Sequence, residues 1–99
     1  MSHIAKIIRS QVDTLTLMRI GAKAFYGIPK DEKHDGGLRI VFSPCPKIRG
    51  GGKIDIRLNG MDLYDIEILN NRGRVVKTFT DIYAEDLGGE DGVIERTTG

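Results

Sequence analysis

Cysteine is almost missing from this 99-residue sequence, which contains only Cys45. Histidine is rare as well, with two residues in the chain. A single cysteine cannot form a disulfide within the chain, and this fits a reducing compartment. One cysteine and two histidines are also too few ligands for a structural zinc site. The fold must therefore be held by its core.

Long apolar runs are missing as well. None approaches the roughly 18 residues that a membrane-spanning helix needs. Lys6 and Arg9 interrupt the N-terminal segment, where a signal peptide would have its apolar stretch. We therefore expect a cytoplasmic protein without membrane contact.

The sequence also lacks a recognisable catalytic or cofactor motif. Cys45 lies between two prolines, and its only candidate base, His34, lies in a polar loop, whereas a nucleophile needs a base and an orienting group. The acidic loop around His34 lacks the ligand pattern of a calcium loop. Cross-strand charge pairing explains Asp65 and Glu67 better than acid–base chemistry does. We expect no enzymatic activity, no metal and no cofactor.

What remains is typical of one small domain spanning residues 1–99. Hydrophobic residues make up 39% and charged residues 29% of the chain, a balance found neither in disordered nor in membrane proteins. A chain of this length buries roughly two-thirds of its unfolded surface, which suffices for one modest core.

Charge is unevenly distributed, although the net charge is only +1. Residues 1–57 carry eleven Lys or Arg and five Asp or Glu, a balance of +6, whereas residues 58–99 carry four and nine, a balance of −5. Two such blocks can form two electrostatic faces, or their fields can cancel if the fold interleaves them.

The N-terminal segment has helical periodicity. Apolar residues recur at spacings of three and four from Ile4 to Leu15, and the stripe continues to Phe25. Asp13 favours a cap over a helix interior. The pattern predicts one interrupted helix or two short ones, the second starting at Asp13, with Gly21 and then Gly27 ending the helical segment.

The period then changes to two, which predicts four antiparallel strands. They are expected at residues 38–42, 53–58, 63–69 and 74–79. A flexible glycine-rich connector at 47–52 and turns at 59–61 and 70–73 join these four strands. The turn at 59–61 places Ile56 opposite Tyr64 and Ile54 opposite Ile66.

A final helix is predicted over about residues 80–88, capped by Thr80 and restarting near residue 93. The predicted fold class is α+β, in the order α-β-β-β-β-α. The N- and C-terminal helices are expected to pack on one face of a four-stranded antiparallel meander.

Acidic residues dominate this last predicted helix. Pairs four residues apart repel each other by about 0.2–0.5 kcal/mol, which is tolerable on a solvated face. The same charges become favourable against a basic protein groove. The candidate protein-binding residues are Asp81, Glu85, Asp86, Glu90 and Asp91.

A second candidate surface is the basic stretch around the three glycines at 50–52. Glycine backbone can approach a phosphate closely and neighbouring cations can hold it, although the pattern is neither a Walker loop nor a dinucleotide fingerprint. The candidate nucleic-acid-binding residues are Lys47, Arg49, Lys53 and Arg57.

Short segments from Ile20 onward carry a resemblance that covers most of the chain. They span residues 21–27, 38–42, 54–67, 72–73, 81–87 and 94–99. In these segments the sequence resembles a family of small proteins encoded by bacteriophages, prophages and other mobile elements. The family has no assigned activity, so no functional residue is carried over. The resemblance implies a place in the host bacterial cytoplasm and action on a host component.

The leading hypothesis is a non-enzymatic phage or mobile-element accessory protein that binds a host protein with a basic surface. An inhibitor of a host nucleic-acid-handling or defence factor would fit it. One alternative is a small nucleic-acid-binding module that uses the basic glycine-rich loop. Another is a structural or assembly protein that oligomerises through an open sheet edge.

Overall fold

The computed structural model describes residues 3–45, 48–88 and 92–98. The helices are α1 (His3–Gln11), α2 (Thr14–Arg19) and α3 (Val93–Thr98), with one 3₁₀ turn at Ala84–Asp86. The strands are β1 (Ala22–Ile28), β2 (His34–Phe42), β3 (Gly52–Asn59), β4 (Tyr64–Asn70) and β5 (Val75–Ile82). No helix in these ranges is long and apolar enough to cross a bilayer.

The strands form one antiparallel meander in the order β1-β2-β3-β4-β5. The α+β class is confirmed, but the sheet has five strands where the sequence predicted four. The extra strand is β1, which was read as helix. Gly21 ends α2 at a φ of 67° and then accepts a hydrogen bond from the Ser43 backbone N–H, which starts the pairing with β2.

The predicted break in the N-terminal helix is confirmed. Asp13 is the N-cap of α2, and its side chain accepts a hydrogen bond from the Thr16 backbone N–H at 3.2 Å. Asp and Thr favour this arrangement because their side chains satisfy backbone groups at a helix start. The segment therefore forms two short helices.

The predicted helix over residues 80–88 is wrong. Strand β5 continues to Ile82, because β-branched and aromatic residues favour a sheet and pairing with β4 continues to that position. A single 3₁₀ turn follows, and α3 begins at Val93, as the expected restart near residue 93 indicates.

The core lies between one face of the sheet and the helical segments. Alternate residues of β2, β3 and β4 point inward, and α1 and the C-terminal segment cover them. The buried apolar cluster consists of Ala5, Ile8, Val12, Ile20, Leu38, Ile40, Phe42, Ile48, Ile54, Ile56, Tyr64, Ile66, Ile68, Leu87, Val93 and Ile94. The opposite face of the sheet, called here the outer face, carries the polar residues of the same strands.

The β3–β4 register differs from the predicted one by two residues. Ile56 lies opposite Ile66 and Ile54 opposite Ile68, because the three-residue turn is 60–62 rather than 59–61. The Asn59 carboxamide fixes the turn by accepting hydrogen bonds from the backbone N–H groups of residues 61 and 63. A shift of two keeps the apolar face but changes every charge pair on the outer face.

Candidate functional site

The meander places charged loops at two ends of the sheet. Phe42, Gly52 and Asn70 are neighbours across β2, β3 and β4, so the β2–β3 and β4–β5 connections lie at the same end. The charged residues described at this end are all cations, and we call it the basic end. They are Lys23, Arg49, Lys53, Arg72 and Arg74.

The other end, called here the acidic end, holds most of the described acidic residues, together with Lys30 and Lys33. It holds the β1–β2 and β3–β4 connections and the end of β5. The predicted blocks 1–57 and 58–99 do not themselves separate, since Arg72 and Arg74 join the basic end and Asp31 lies at the acidic end. The basic and acidic residues are instead separated according to the loop in which each of them lies.

A groove runs from the outer face to the basic end. It consists of three adjoining depressions with volumes of about 540, 170 and 450 Å³. The first two share Val41 and Lys53, and the last two share Gly50 and Asn71, so the three lie next to one another. We call them together the cationic groove. The charged side chains lining it are Arg39, Arg57, Lys53, Lys23, Arg49 and Arg72.

Acidic side chains are missing from the described lining of this groove. Within the part of the chain that the structure describes, Lys23, Lys53, Arg49 and Arg72 also form no ion pair. Four cations without a neutralising partner produce a local positive field even at a net charge of +1.

Two of the groove's arginines belong to a network on the outer face. Arg39 Nε and Nη2 donate to the two carboxylate oxygens of Asp55 at 2.6 and 2.7 Å, and the Asp55 side chain is only 2% exposed. Arg57 lies between Asp55, at 3.4 Å, and Glu67, at 2.8 Å. The hydrogen bond with Asp55 raises the pKa of Arg39. The network fixes both guanidinium groups on an otherwise uncovered sheet face.

Arg57 also separates two carboxylates that the register places side by side. Asp55 lies directly opposite Glu67 on the neighbouring strand. The displaced turn creates this pair, and the Arg57 guanidinium bridges it by contacting both carboxylates.

The three glycines at the basic end have a packing role. Gly51 has a φ of 73°, and a Cβ there would lie 2.6 Å from the Phe42 carbonyl oxygen. A Cβ on Gly52 would collide with the carbonyl oxygen of Leu69. The predicted flexible connector is therefore a close crossing of backbones that places Arg49 and Lys53 beside the β4–β5 turn.

A second polar cluster lies at the acidic end. His34 Nε2 is 2.8 Å from Asp65 Oδ2, and His34 Nδ1 is 3.3 Å from Asp31 Oδ1. Burial raises the pKa of Asp65, but hydrogen bonds from His34, the Asp81 backbone N–H and Asn59 outweigh it and lower the pKa overall. Backbone hydrogen bonds from residues 33 and 34 lower the pKa of Asp31. The cluster ties the β1–β2 loop to β4, and among the described residues no group of side chains is arranged to hold a metal ion.

The predicted acidic helix face does not form as expected. Asp81 lies on β5 with a φ of 54°, and its carboxylate accepts a hydrogen bond from the Asn59 amide at 2.9 Å. Glu85 and Asp86 are exposed on the 3₁₀ turn. Glu90 and Asp91 lie outside the described residues.

The basic candidate residues are largely brought together. Arg49, Lys53 and Arg57 all line the cationic groove, while Lys47 lies outside the described residues. Sequence reasoning missed Tyr26, because β1 was read as helix. It also missed Arg39, although the alternation of residues 38–42 places that side chain on the polar face.

Comparison with known proteins does not identify a family. No protein-family model, no curated protein and no solved structure matches this chain. Function must be argued from the site itself.

Proposed function

We propose that this protein is a non-enzymatic binding module that holds a single-stranded nucleic acid in the cationic groove. The observation that carries the proposal is the groove's lining, which contains six cations and no acid among its described residues. Such a surface complements a backbone that carries one negative charge at every nucleotide.

The exposed side chain of Tyr26, at 57%, favours nucleic acid over other polyanions. It lines the outer-face part of the groove, next to Arg39 and Lys53. Proteins that bind single strands combine a positive groove with aromatic rings on which bases stack. An acidic protein offers the charge but has no base to stack.

Salt dependence of binding tests the proposal. The four groove cations without ion pairs predict a slope of about −3 in a plot of log affinity against log salt concentration, at about −0.7 for each phosphate neutralised. Lys53→Met removes one of these charges, so the slope should become shallower by about 0.7. Fluorescence anisotropy of a labelled thymidine oligonucleotide measures both.

Lys6→Met is the matched control. Lys6 is exposed on α1, which covers the opposite face of the sheet. Lys6→Met changes the net charge by as much as Lys53→Met does but leaves the groove intact. The salt slope of this variant should therefore equal that of the original protein. Equal slopes for all three proteins, or binding that ignores salt, would refute the groove as the binding site.

A second candidate function, contact with a basic host protein, is favoured by one observation. Tyr83 is 57% exposed and lies two residues before Glu85 and three before Asp86, both of which are exposed acids. A tyrosine among charges is a common anchor at protein interfaces. Tagged protein would be used to capture partners from nuclease-treated lysate. A captured protein lost on reversing Glu85 and Asp86 to lysine supports this function, and one retained by that variant contradicts it.

Assembly through a sheet edge receives less support. Strand β5 is open, and Val75 and Val76 are nearly half exposed. However, its pairing with β4 is interrupted by two irregularities, and Lys77 lies on the same strand. Bulges and edge lysines are devices by which proteins prevent edge-to-edge pairing.

A further inference from the structure

The outer-face part of the cationic groove differs in character from the rest. Its lining combines apolar groups, Ile28, Pro29 and Val41, with Tyr26 and three cations. Among the described residues that line the other two depressions, the only aromatic one is Phe42, which is buried. Its volume of about 540 Å³ lies within the range of small-molecule sites. We call this part the outer pocket.

Tyr26 and Arg39 are cross-strand neighbours within this pocket. They lie directly opposite each other in the β1–β2 register and therefore on the same face. Both present planar groups, and bases stack on aromatic rings and on guanidinium planes. A flat ligand can contact both groups at once.

Arg39 is held in place before any ligand binds. Its guanidinium makes two hydrogen bonds with the buried carboxylate of Asp55, at 2.6 and 2.7 Å. The Arg39 side chain nevertheless remains 35% exposed, so it stays accessible from the pocket. A fixed planar group loses little conformational entropy on binding.

The phosphate-binding function in the pocket falls to Lys53. It has no ion-pair partner among the residues that the structure describes, whereas Arg57 is paired with Asp55 and Glu67 and is 22% exposed. Both line the same pocket as Tyr26 and Arg39. Apolar and planar groups thus lie beside an anion site, as a nucleoside phosphate requires.

We infer that the outer pocket binds one nucleotide, with its base against Tyr26 and Arg39 and its phosphate on Lys53. The inference rests on the proposed function, and it assigns the contact with bases to this pocket alone. The remainder of the groove, with Lys23, Arg49 and Arg72, contacts phosphates only. Binding should therefore require a base at one position of the strand.

The test compares a thymidine oligonucleotide with an abasic oligonucleotide of the same length, by fluorescence anisotropy. We expect the abasic strand to bind about 5- to 150-fold more weakly, the range for loss of one stacked base. Tyr26→Ala should weaken binding of the thymidine strand by a similar factor and leave the abasic strand unchanged. Tyr26→Phe, which keeps the ring, should bind both strands like the original protein.

A second measurement locates the ligand. Adenosine monophosphate, added to isotope-labelled protein, should shift the NMR signals of Tyr26 and the Arg39 guanidinium, and inorganic phosphate should shift neither. Shifts confined to other residues would overturn the inference. Equal affinity for the thymidine and abasic strands would also overturn the inference, but it would remain compatible with binding of phosphates along the cationic groove. Failure of both oligonucleotides to bind would instead reject the proposed function.

Discussion

Removing Arg39 and removing Asp55 break the same ion pair, but the structure predicts unequal costs. The Asp55 side chain is 2% exposed, whereas that of Arg39 is 35% exposed. In Arg39→Met the carboxylate stays buried and keeps only Arg57, at 3.4 Å. A buried charge that loses its partner costs about 3–5 kcal/mol, and the remaining contact with Arg57 places this variant at the lower end of that range. Methionine retains the apolar part of the Arg39 side chain, so we attribute the loss of stability to the missing charge. We expect the free energy of unfolding to fall by about 3 kcal/mol.

In Asp55→Ala the cations are left instead, and water can reach both of them. Arg57 also keeps its bond to Glu67 at 2.8 Å. The cost should then be near that of a partly exposed ion pair and a small cavity, about 1–2 kcal/mol. In the double variant no buried charge remains. Its cost should therefore fall below the sum of the two single costs, since residues in one network are coupled.

Urea unfolding monitored by circular dichroism measures these free energies. The slope of free energy against urea should be unchanged in all three variants, so that the midpoint reports stability. The reasoning is refuted if Asp55→Ala destabilises the protein as much as Arg39→Met, or if the costs of the two single variants add in the double variant. Either result would mean that Asp55 is hydrated or that Arg39 contributes mainly through packing.

Two further outcomes are expected. Gly52→Ala should destabilise the fold by about 1–3 kcal/mol or more, because its Cβ meets the Leu69 carbonyl, whereas Gly60→Ala has open space and should be nearly neutral in the same urea assay. The pKa of Asp65 is lowered below 3.8 in the folded protein, so its hydrogen bonds stabilise the fold above that pH and are lost as the pH falls through the lowered value. The stability difference between the original protein and Asp65→Asn should therefore shrink below about pH 4, and a difference independent of pH would contradict this assignment.

Periodicity sufficed to predict the central part of the fold. The apolar faces of β2, β3 and β4 alternate cleanly, and burial on one side of a sheet enforces that alternation. The register could not be predicted as well, because Ile54 and Ile56 face equally apolar partners in registers two residues apart. The carboxamide of Asn59 decides between them through two backbone hydrogen bonds.

The two ends of the chain were harder to predict for a different reason. Residues 22–28 contain alanines and an aromatic pair that fit either a helix or a strand, and only pairing with β2 makes them a strand. Residues 80–88 contain a helix cap signal, but the open edge of β4 competes for the same segment. In both segments, pairing with a neighbouring strand rather than local sequence preference determines the secondary structure.

The basic end could have been predicted from the four strands that the periodicity did identify. In an antiparallel meander alternate connections lie at the same end, so the loops at 43–51 and 71–74 must adjoin whether or not a strand precedes them. Their described charged residues are Arg49, Arg72 and Arg74. Tyr26 and Lys23 were beyond that reasoning, because they lie on the strand that the periodicity missed.

Charge separation along the sheet gives a small protein of near-zero net charge a way to bind a polyanion in one orientation. With a net charge of +1, long-range attraction to a nucleic acid is weak. Within about one Debye length, roughly 8 Å at physiological salt, the basic end is attracted while the acidic end, with Glu85 and Asp86, is repelled. The molecule should thus approach a strand basic end first, with the outer pocket beside the strand and the exposed Tyr83 turned away from it.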